Sequence, residues 1–282
     1  MAIVRCRPSA PLDRYVKWLW WSERDMPQLD SEHMLPSASA QVIFALHDEP
    51  FTWRKNLFEK TSAHWMRSVV HGPQCRYFVS GPKPCGAVAG ICFRPGAAGA
   101  LLGVPVAELT DLHVSIDDLW GARGRSMRER LVDVYEPAAI FKVIEQELMF
   151  RLKRPLLVHP AVARALVSPV QGWGFTRISD VQRQAGYSPK HFTALFRRAV
   201  GLTPKRYYRV QRFGEVVQAL AGGQRTDLAE LAASLGYSDQ SHLTREFREF
   251  AGVTPTRYRP RSLDSVLHHV AMACRSRDSE AR

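Results

Sequence analysis

The sequence of 282 residues has no long apolar run. Nowhere do about 18 apolar residues follow one another, so no membrane-spanning helix is predicted. The segment 1–25 also lacks a continuous apolar stretch of signal-peptide length. We therefore expect a cytoplasmic protein that has no membrane partner.

Cysteine is scarce, and its spacing is not that of a structural site. The five cysteines are odd in number and none stands in a C-x-x-C pair, which argues against a disulfide framework or a zinc finger. A thiol sensor remains the alternative to cysteines buried inside strands. The candidates for it are Cys75, Cys85 and Cys92.

Catalytic and metal-binding patterns are also missing. The glycine-rich stretch RPGAAGALLG at 94–103 lacks the Lys-Ser/Thr of a phosphate loop, and no Ser/His/Asp set or carboxylate pair stands out. Five N-terminal histidines lack H-x-H or H-x-x-x-H spacing, so scattered structural or surface histidines are favoured over a metal site. They are His33, His47, His64, His71 and His113. We predict no enzyme, no cofactor and no bound metal.

Positive charge is the feature that is present in excess. The formal net charge is +12, and residues 170–262 hold fifteen Lys/Arg against seven Asp/Glu, so +8 of it falls in one third of the chain. A basic surface concentrated in this way is typical of a nucleic-acid-binding domain. The length allows a second domain with a core of its own.

Residues 228–258 predict a helix-turn-helix. Gly236 suits a turn because it tolerates a positive φ, and Ser238 is predicted to cap the second helix. Inside that helix Leu243, Phe247 and Phe250 recur at helical spacing and mark a buried stripe.

The same unit occurs earlier in the chain. The triplet Gly-Tyr-Ser at 186–188 matches 236–238 at an offset of 50 residues. From His191 the offset is 51, with HFTALFRRAVGLTPKRYYR set against HLTREFREFAGVTPTRYR. Thr-Pro starts a helix in both copies, and the helix predicted at 205–221 joins them. Two copies indicate a paired module rather than a solenoid.

With these motifs, residues 176–260 resemble the DNA-binding domain of the AraC/XylS family of bacterial transcription regulators. The resemblance implies sequence-specific binding to double-stranded promoter DNA through two recognition helices, with RNA polymerase as a further partner. LPSASAQVIF and FRPGAAGALLGVPVAELTD also resemble the sensor or dimerisation domain of some of these regulators. A small-molecule effector and a homodimer that needs no effector both stay open.

Contact residues are carried over position by position from this resemblance. Arg245 can pair with guanine and Gln240 with adenine in the major groove, whereas Ala194 can touch only a thymine methyl group. Arg197 and Arg198 are expected at phosphates. A solvated helix face is the alternative for every position. The full set is Lys190, His191, Thr193, Ala194, Arg197, Arg198, Gln240, Ser241, His242, Arg245 and Arg248. Arg206, Arg209, Arg212, Arg257 and Arg259 are further phosphate candidates.

The N-terminal part predicts a β-rich domain. Short runs of Val, Ile, Phe, Tyr and Trp between 15 and 93 are broken by Pro and Gly, which indicates a barrel or a sandwich. The family resemblance favours a cupin-like barrel, and helices are predicted at 126–134 and 137–152.

The predicted fold class is therefore α+β, with an all-α double helix-turn-helix at the C-terminus. We expect a sensor or dimerisation domain at 1–165, a DNA-binding domain at 172–262 and a tail at 263–282. The predicted function is transcription regulation. The alternative is a DNA-binding module fused to a metal-dependent or cysteine-based enzyme domain.

Overall fold

In the computed structural model the described residues are 2–27, 31–54, 66–83, 85–153, 158–167, 183, 186–222, 227–261 and 267–270. The first helix of the first helix-turn-helix and the Pro/Gly-rich passage predicted around 169–174 lie outside these residues. So does the end of the predicted tail, at 271–282.

Two antiparallel sheets form the N-terminal part. The larger has the order β1-β2-β8-β4-β6-β9, and the smaller has the order β10-β3-β7-β5. The larger sheet contains β1 Ala2–Cys6, β2 Val16–Arg24, β4 Gln41–Ala45, β6 Ser68–His71, β8 Gly86–Phe93 and β9 His113–Ser115. The smaller contains β3 Glu32–Met34, β5 Trp53–Arg54, β7 Phe78–Ser80 and β10 His268–Val270.

The pairing of β2 with β8 is the longest in the larger sheet. Leu19 lies opposite Ile91 and both are fully buried, so this pair belongs to the core. Trp20 lies opposite Gly90. A methyl group on Gly90 would come within 2.4 Å of the Trp20 indole, so this position needs a residue without a side chain.

Four helices pack on this sheet and share its core. They are α1 Ala98–Leu102, α2 Ile116–Trp120, α3 Ala122–Val132 and α4 Pro137–Arg151. The helix predicted at 137–152 is α4, and its Ile140, Ile144 and Leu148 are fully buried. The helix predicted at 126–134 is α3, which begins earlier, at Ala122.

The C-terminal part is helical. Its described helices are α5 Pro160–Val167, α6 Pro189–Val200, α7 Pro204–Ala221, α8 Leu228–Ser234 and α9 Gln240–Ala251. A second core of buried aromatic rings holds them together, built from Phe192, Phe196, Tyr207, Phe213, Phe247 and Phe250. The same core takes in Leu35, Ala38 and Cys75 from the N-terminal part. The α+β class is confirmed.

Strand β10 lies within the region predicted as a tail, 263–282. After the helical part, residues 268–270 return to the N-terminal part and pair with β3, where His268 lies opposite Met34. The Glu32 carboxylate is fully buried beneath this pairing. It accepts a hydrogen bond from Lys83 and lies 3.0 Å from His268 Nδ1 and 3.3 Å from Arg261 Nε. Three residues that include two histidines carry no strand pattern, which is why the sequence did not indicate β10.

Candidate nucleic-acid interface

The second helix of each helix-turn-helix begins with a side-chain cap. At α6 the Ser188 hydroxyl accepts from His191 N at 3.3 Å. At α9 the Asp239 carboxylate accepts from His242 N at 2.6 Å. The prediction that Ser238 caps α9 is wrong, because its hydroxyl instead donates to Asp239 Oδ2 at 3.2 Å. The bond from His242 N holds the pKa of Asp239 below its ordinary value.

An extra residue explains this difference. Gly186 and Gly236 are equivalent, since both have φ of +71° at the turn before the cap. In the first unit Tyr187 separates the glycine from the cap, whereas in the second unit both Tyr237 and Ser238 do so. The offset in the sequence changes from 50 to 51 because the second turn is one residue longer.

Both α6 and α9 bury one stripe and expose the opposite face. Phe196 and Phe247 occupy equivalent positions and are almost completely buried, so they belong to the core of the domain. Tyr237 is also buried, at 6% exposure. Its counterpart Tyr187 is 41% exposed, so the repeat does not extend to the burial of this residue.

The structure brings most of the predicted contact residues to the exposed faces of α6 and α9. Thr193 is only partly exposed. His242 is also partly buried, and its Nδ1 lies 3.1 Å from the Ser238 hydroxyl, so its ring is already engaged within the turn. The exposed positions are Lys190, His191, Ala194, Arg197, Arg198, Gln240, Ser241, Arg245 and Arg248.

Two arginines proposed for phosphate contact are instead bound within the domain. Arg209 Nε and Arg212 Nη2 on α7 donate to the Glu246 carboxylate of α9 at 2.7 and 2.9 Å. Arg209 also donates to Glu249, and the Arg212 guanidinium lies 3.8 Å from the centroid of the Tyr237 ring. Burial would raise the pKa of Glu246, but the two arginines outweigh burial and hold it below its ordinary value.

The cations of the exposed face differ from that pair. Across the described part of the chain, five cationic side chains on α6 and α9 have no acidic partner within ion-pair distance. They are Lys190, Arg197, Arg198, Arg245 and Arg248. Such groups can form charge-assisted hydrogen bonds with phosphate or with base edges.

Tyr187 is a surface residue that sequence reasoning missed. Its hydroxyl lies 3.1 Å from Nε2 of His159, which precedes α5, and its ring lies 5.0 Å from that of His191. These three rings form a small cluster beside the start of α6. The exposure of Tyr187 could not be inferred from the repeat, because its counterpart Tyr237 is buried.

The N-terminal part gives little support for a thiol sensor at two of the predicted positions. Burial raises the pKa of both Cys75 and Cys92 to about 11, which keeps them protonated and unreactive at neutral pH. Cys85 is exposed.

Two histidines that lie far apart in the sequence meet in the sheet. His71 on β6 and His113 on β9 are register partners with their Nδ1 atoms in hydrogen-bond contact, beside Trp53 and Phe78. Within the described residues no group of three or more His, Cys, Asp or Glu could hold a metal ion. None of the described helices is long and apolar enough to cross a membrane.

Comparison with known proteins agrees with this geometry. A family described as "Helix-turn-helix domain" matches residues 181–261. A family described as "Domain of unknown function (DUF6597)" matches residues 4–115.

Curated relatives match over part of their length. The transposon Tn10 TetD protein of Escherichia coli is 33% identical over 86 residues, which cover 30% of this chain and 62% of TetD. The multiple antibiotic resistance protein MarA of Escherichia coli is 30% identical over 82 residues, which cover 29% of this chain and 64% of MarA. An uncharacterized HTH-type transcriptional regulator of Haemophilus influenzae is 25% identical over 129 residues, 46% of this chain and 42% of that protein. The chain thus spans less than two thirds of each of these relatives.

Among solved structures, ToxT from Vibrio cholerae has a TM-score of 0.48 and 9% sequence identity, covering 84% of this chain and 95% of ToxT.

The repeated cap, turn and exposed basic helix, joined by α7, define the C-terminal part as a double helix-turn-helix DNA-binding domain. The domain matched at 181–261 is an AraC-type helix-turn-helix domain.

Proposed function

We propose that this chain is a sequence-specific DNA-binding transcriptional regulator that places α6 and α9 in the major groove. The observation that carries the proposal is the division among the basic residues of the helical part. Arg209 and Arg212 are paired with Glu246 and Glu249, whereas the five exposed cations of α6 and α9 have no acidic partner among the described residues. Positive charge without an acidic partner, placed on a recognition face, suits contact with a polyanion.

The linking helix supports simultaneous use of both units. Helix α7 has 18 residues and is therefore about 27 Å long at 1.5 Å per residue. Successive turns of the major groove lie ~34 Å apart on one side of the duplex. Phe196 of α6 packs against Tyr207, and Phe247 of α9 packs against Phe213, so α7 contacts both recognition helices and can hold them for adjacent turns of the same groove.

The two units have different roles in this proposal. Arg245 and Gln240 supply hydrogen bonds to base edges from α9. At the position equivalent to Arg245, α6 has Ala194, which offers no hydrogen bond. We therefore assign Arg197, Arg198 and Lys190 to phosphates and base edges, with less discrimination in the first unit than in the second.

Residues 1–165 are proposed to control the DNA-binding domain at 172–262, either by binding a small effector or by forming a homodimer. RNA polymerase is the further partner that the family resemblance suggests.

Selection from random double-stranded DNA by the full chain tests DNA binding. We expect enrichment of a bipartite site whose halves lie about 10–10.5 base pairs apart. A protein in which Arg197, Arg245 and Arg248 are all replaced by Ala should enrich no site. A matched triple variant, with the exposed Arg125, Lys142 and Lys153 of the N-terminal part replaced, should still enrich it. Recovery of random sequence by folded wild-type protein would contradict the proposal.

The role of residues 1–165 needs a separate measurement. A thermal-shift screen of the full chain against small metabolites should find a compound that raises Tm, if an effector exists. Sedimentation at increasing protein concentration should reveal a dimer if the N-terminal part only dimerises. A monomer that no compound stabilises would contradict both roles.

A further inference from the structure

The C-terminal ends of both recognition helices contact the N-terminal part of the chain, and each helix is followed by a glycine. Helix α6 is followed by Gly201 and α9 by Gly252, which are equivalent at the offset of 51 and have φ of +89° and +74°. Carbonyl groups in the last turn of a helix have no partner within the helix. In both units carbonyls at the helix end accept hydrogen bonds from residues of the N-terminal part.

At α6 the partner is Thr110. Its hydroxyl donates to Gly201 O at 2.7 Å. A methyl group on Gly201 would come within 3.0 Å of both Pro73 Cγ and Thr110 Oγ1, and within 3.2 Å of Val106. The end of α6 therefore lies in direct contact with residues that flank β6 and β9 of the larger sheet.

At α9 the partners are Tyr77 and His33. The Tyr77 amide donates to Phe250 O at 3.1 Å, and His33 Nδ1 lies 3.0 Å from Ala251 O, to which it donates as the Nδ1–H tautomer. The rings of His33 and Tyr77 are stacked at 4.4 Å. A methyl group on Gly252 would come within 2.6 Å of the Tyr77 ring.

One five-residue segment thus reaches both helix ends. Residues 73–77, which we call the wedge, join β6 to β7, with Pro73 against Gly201 and Tyr77 against Gly252. Between them Cys75 is buried in the same core as residues of α6, α7 and α9. The wedge therefore contacts the ends of α6 and α9 and shares the core of the helical part.

The wedge is itself fixed to the N-terminal part. Asp111 N donates to Pro73 O at 2.9 Å, and the Asp111 carboxylate accepts from Cys75 N at 2.5 Å. Asp111 has φ of +56°, in the left-handed region that Asp adopts more readily than most residues. Gln74 N donates to Ser37 O at 2.8 Å. A segment bound on both sides can transmit the position of one helix to the other.

We propose that the wedge and Thr110 are positioning elements that fix the orientation of α6 relative to α9, and with it the half-site spacing that one chain accepts. The inference rests on the proposed DNA binding. The wedge and Thr110 contact only the C-terminal ends of α6 and α9. The N-terminal ends, where recognition helices contact base edges, therefore remain accessible to DNA.

The test measures binding of the full chain to its selected site with the half-site spacing changed by one base pair in either direction. Each added base pair rotates one half-site by about 34–36° around the duplex. For the wild type we expect affinity to fall at least about tenfold at either changed spacing. Gly201→Ala and Gly252→Ala each insert a methyl group between the wedge and a helix end. In these variants the loss of affinity at a changed spacing should shrink to about threefold or less, or the preferred spacing should move.

Gly103→Ala is the matched control. Gly103 has φ of +83°, and a methyl group there would meet nothing within 4 Å. The Gly103→Ala variant therefore has the same kind of backbone strain as the other two variants, but no new contact with the wedge. This variant should keep the sharp spacing preference of the wild type. Thr110→Val removes only the hydrogen bond to Gly201 O. If the glycine variants do not fold, this variant tests the proposal instead. We expect it to tolerate a changed half-site spacing better than the wild type does.

The outcomes separate the two proposals. If the wild type selects no site, the proposed function fails. If the wild type selects a site, DNA binding stands. The positioning role is overturned if folded Gly201→Ala and Gly252→Ala, or Thr110→Val, tolerate changed half-site spacing no better than the wild type.

Discussion

Arg212 of α7 donates to the carboxylate of Glu246 on α9 at 2.9 Å, so a basic residue of the DNA-binding domain is used to hold two of its helices together. Arg209 donates to the same carboxylate at 2.7 Å. Net charge alone therefore overstates the number of cations that are available to DNA. The pairing separates structural arginines from those of the recognition face.

Glu246→Gln should destabilise the domain. The Glu246 side chain is 3% exposed, while Arg209 and Arg212 are 25% and 17% exposed. Removing one partner of a buried ion pair costs about 3–5 kcal/mol, and partial solvation of both arginines reduces the expected loss to about 2–3 kcal/mol. Urea unfolding of the full chain measures it.

Glu249→Gln is the control for this change. Glu249 pairs with Arg209 but is 43% exposed, so its loss should lower the unfolding free energy by about 0–1 kcal/mol. Equal losses of unfolding free energy in the two variants would show that the burial of Glu246 does not determine how much its ion pairs stabilise the domain.

Acidification should destabilise the N-terminal part through His71. Burial, followed by the neighbouring His113 and His268, lowers the pKa of His71 well below its ordinary value of 6.5. The folded state therefore keeps this ring neutral, while the unfolded chain binds a proton near pH 6.5. The stability that His71 contributes is fully present above that pH and is lost as the pH falls below it.

His71→Phe should reduce this pH dependence. One proton accounts for at most about 1.4 kcal/mol per pH unit. Unfolding free energies at about pH 7 and about pH 5, on either side of the ordinary histidine pKa, should differ less in the variant than in the wild type. Some slope should remain, because burial also lowers the pKa of His33, His47 and His268. An unchanged slope would contradict the role of His71.

The helical part could be predicted from sequence because its signals are local. The buried stripe of α9 and the long helix α7 follow from periodicity and Thr-Pro caps, and both were found where expected. The cap of α9 was misplaced by one residue because Ser238 and Asp239 are both good caps. Only the hydrogen bond from His242 N decides between them.

The contacts between the two parts could not be predicted, because they join residues far apart in the chain. Thr110 and Gly201 are 91 residues apart, and His33 and Ala251 are 218 residues apart. The partners of Arg209 and Arg212 were missed for the same reason. Their side chains look identical in sequence to those of Arg245 and Arg248, and only packing against α9 distinguishes them.

Arg197→Ala should weaken binding to all DNA sequences and lower the salt dependence. Each phosphate contact contributes about −0.9 to the slope of log K against log salt, so its loss should reduce the slope by about 1. Lys142→Ala is the charge-matched control, since Lys142 is an exposed cation on α4, outside the proposed interface. Fluorescence anisotropy at several salt concentrations measures both slopes. Equal slopes would remove Arg197 from the interface.

Arg245→Ala should reduce discrimination rather than general affinity. If Arg245 donates two hydrogen bonds to a guanine, its loss should cost roughly 1–3 kcal/mol on the selected site and far less on random DNA. Arg248→Ala, one helical turn further along α9, should instead weaken both kinds of DNA to a similar extent if it contacts phosphate. Competition binding with the selected site and with random duplex measures both variants. An equal loss on the two DNAs for Arg245→Ala would assign this residue to the phosphates and leave base recognition in α9 to Gln240 and Ser241.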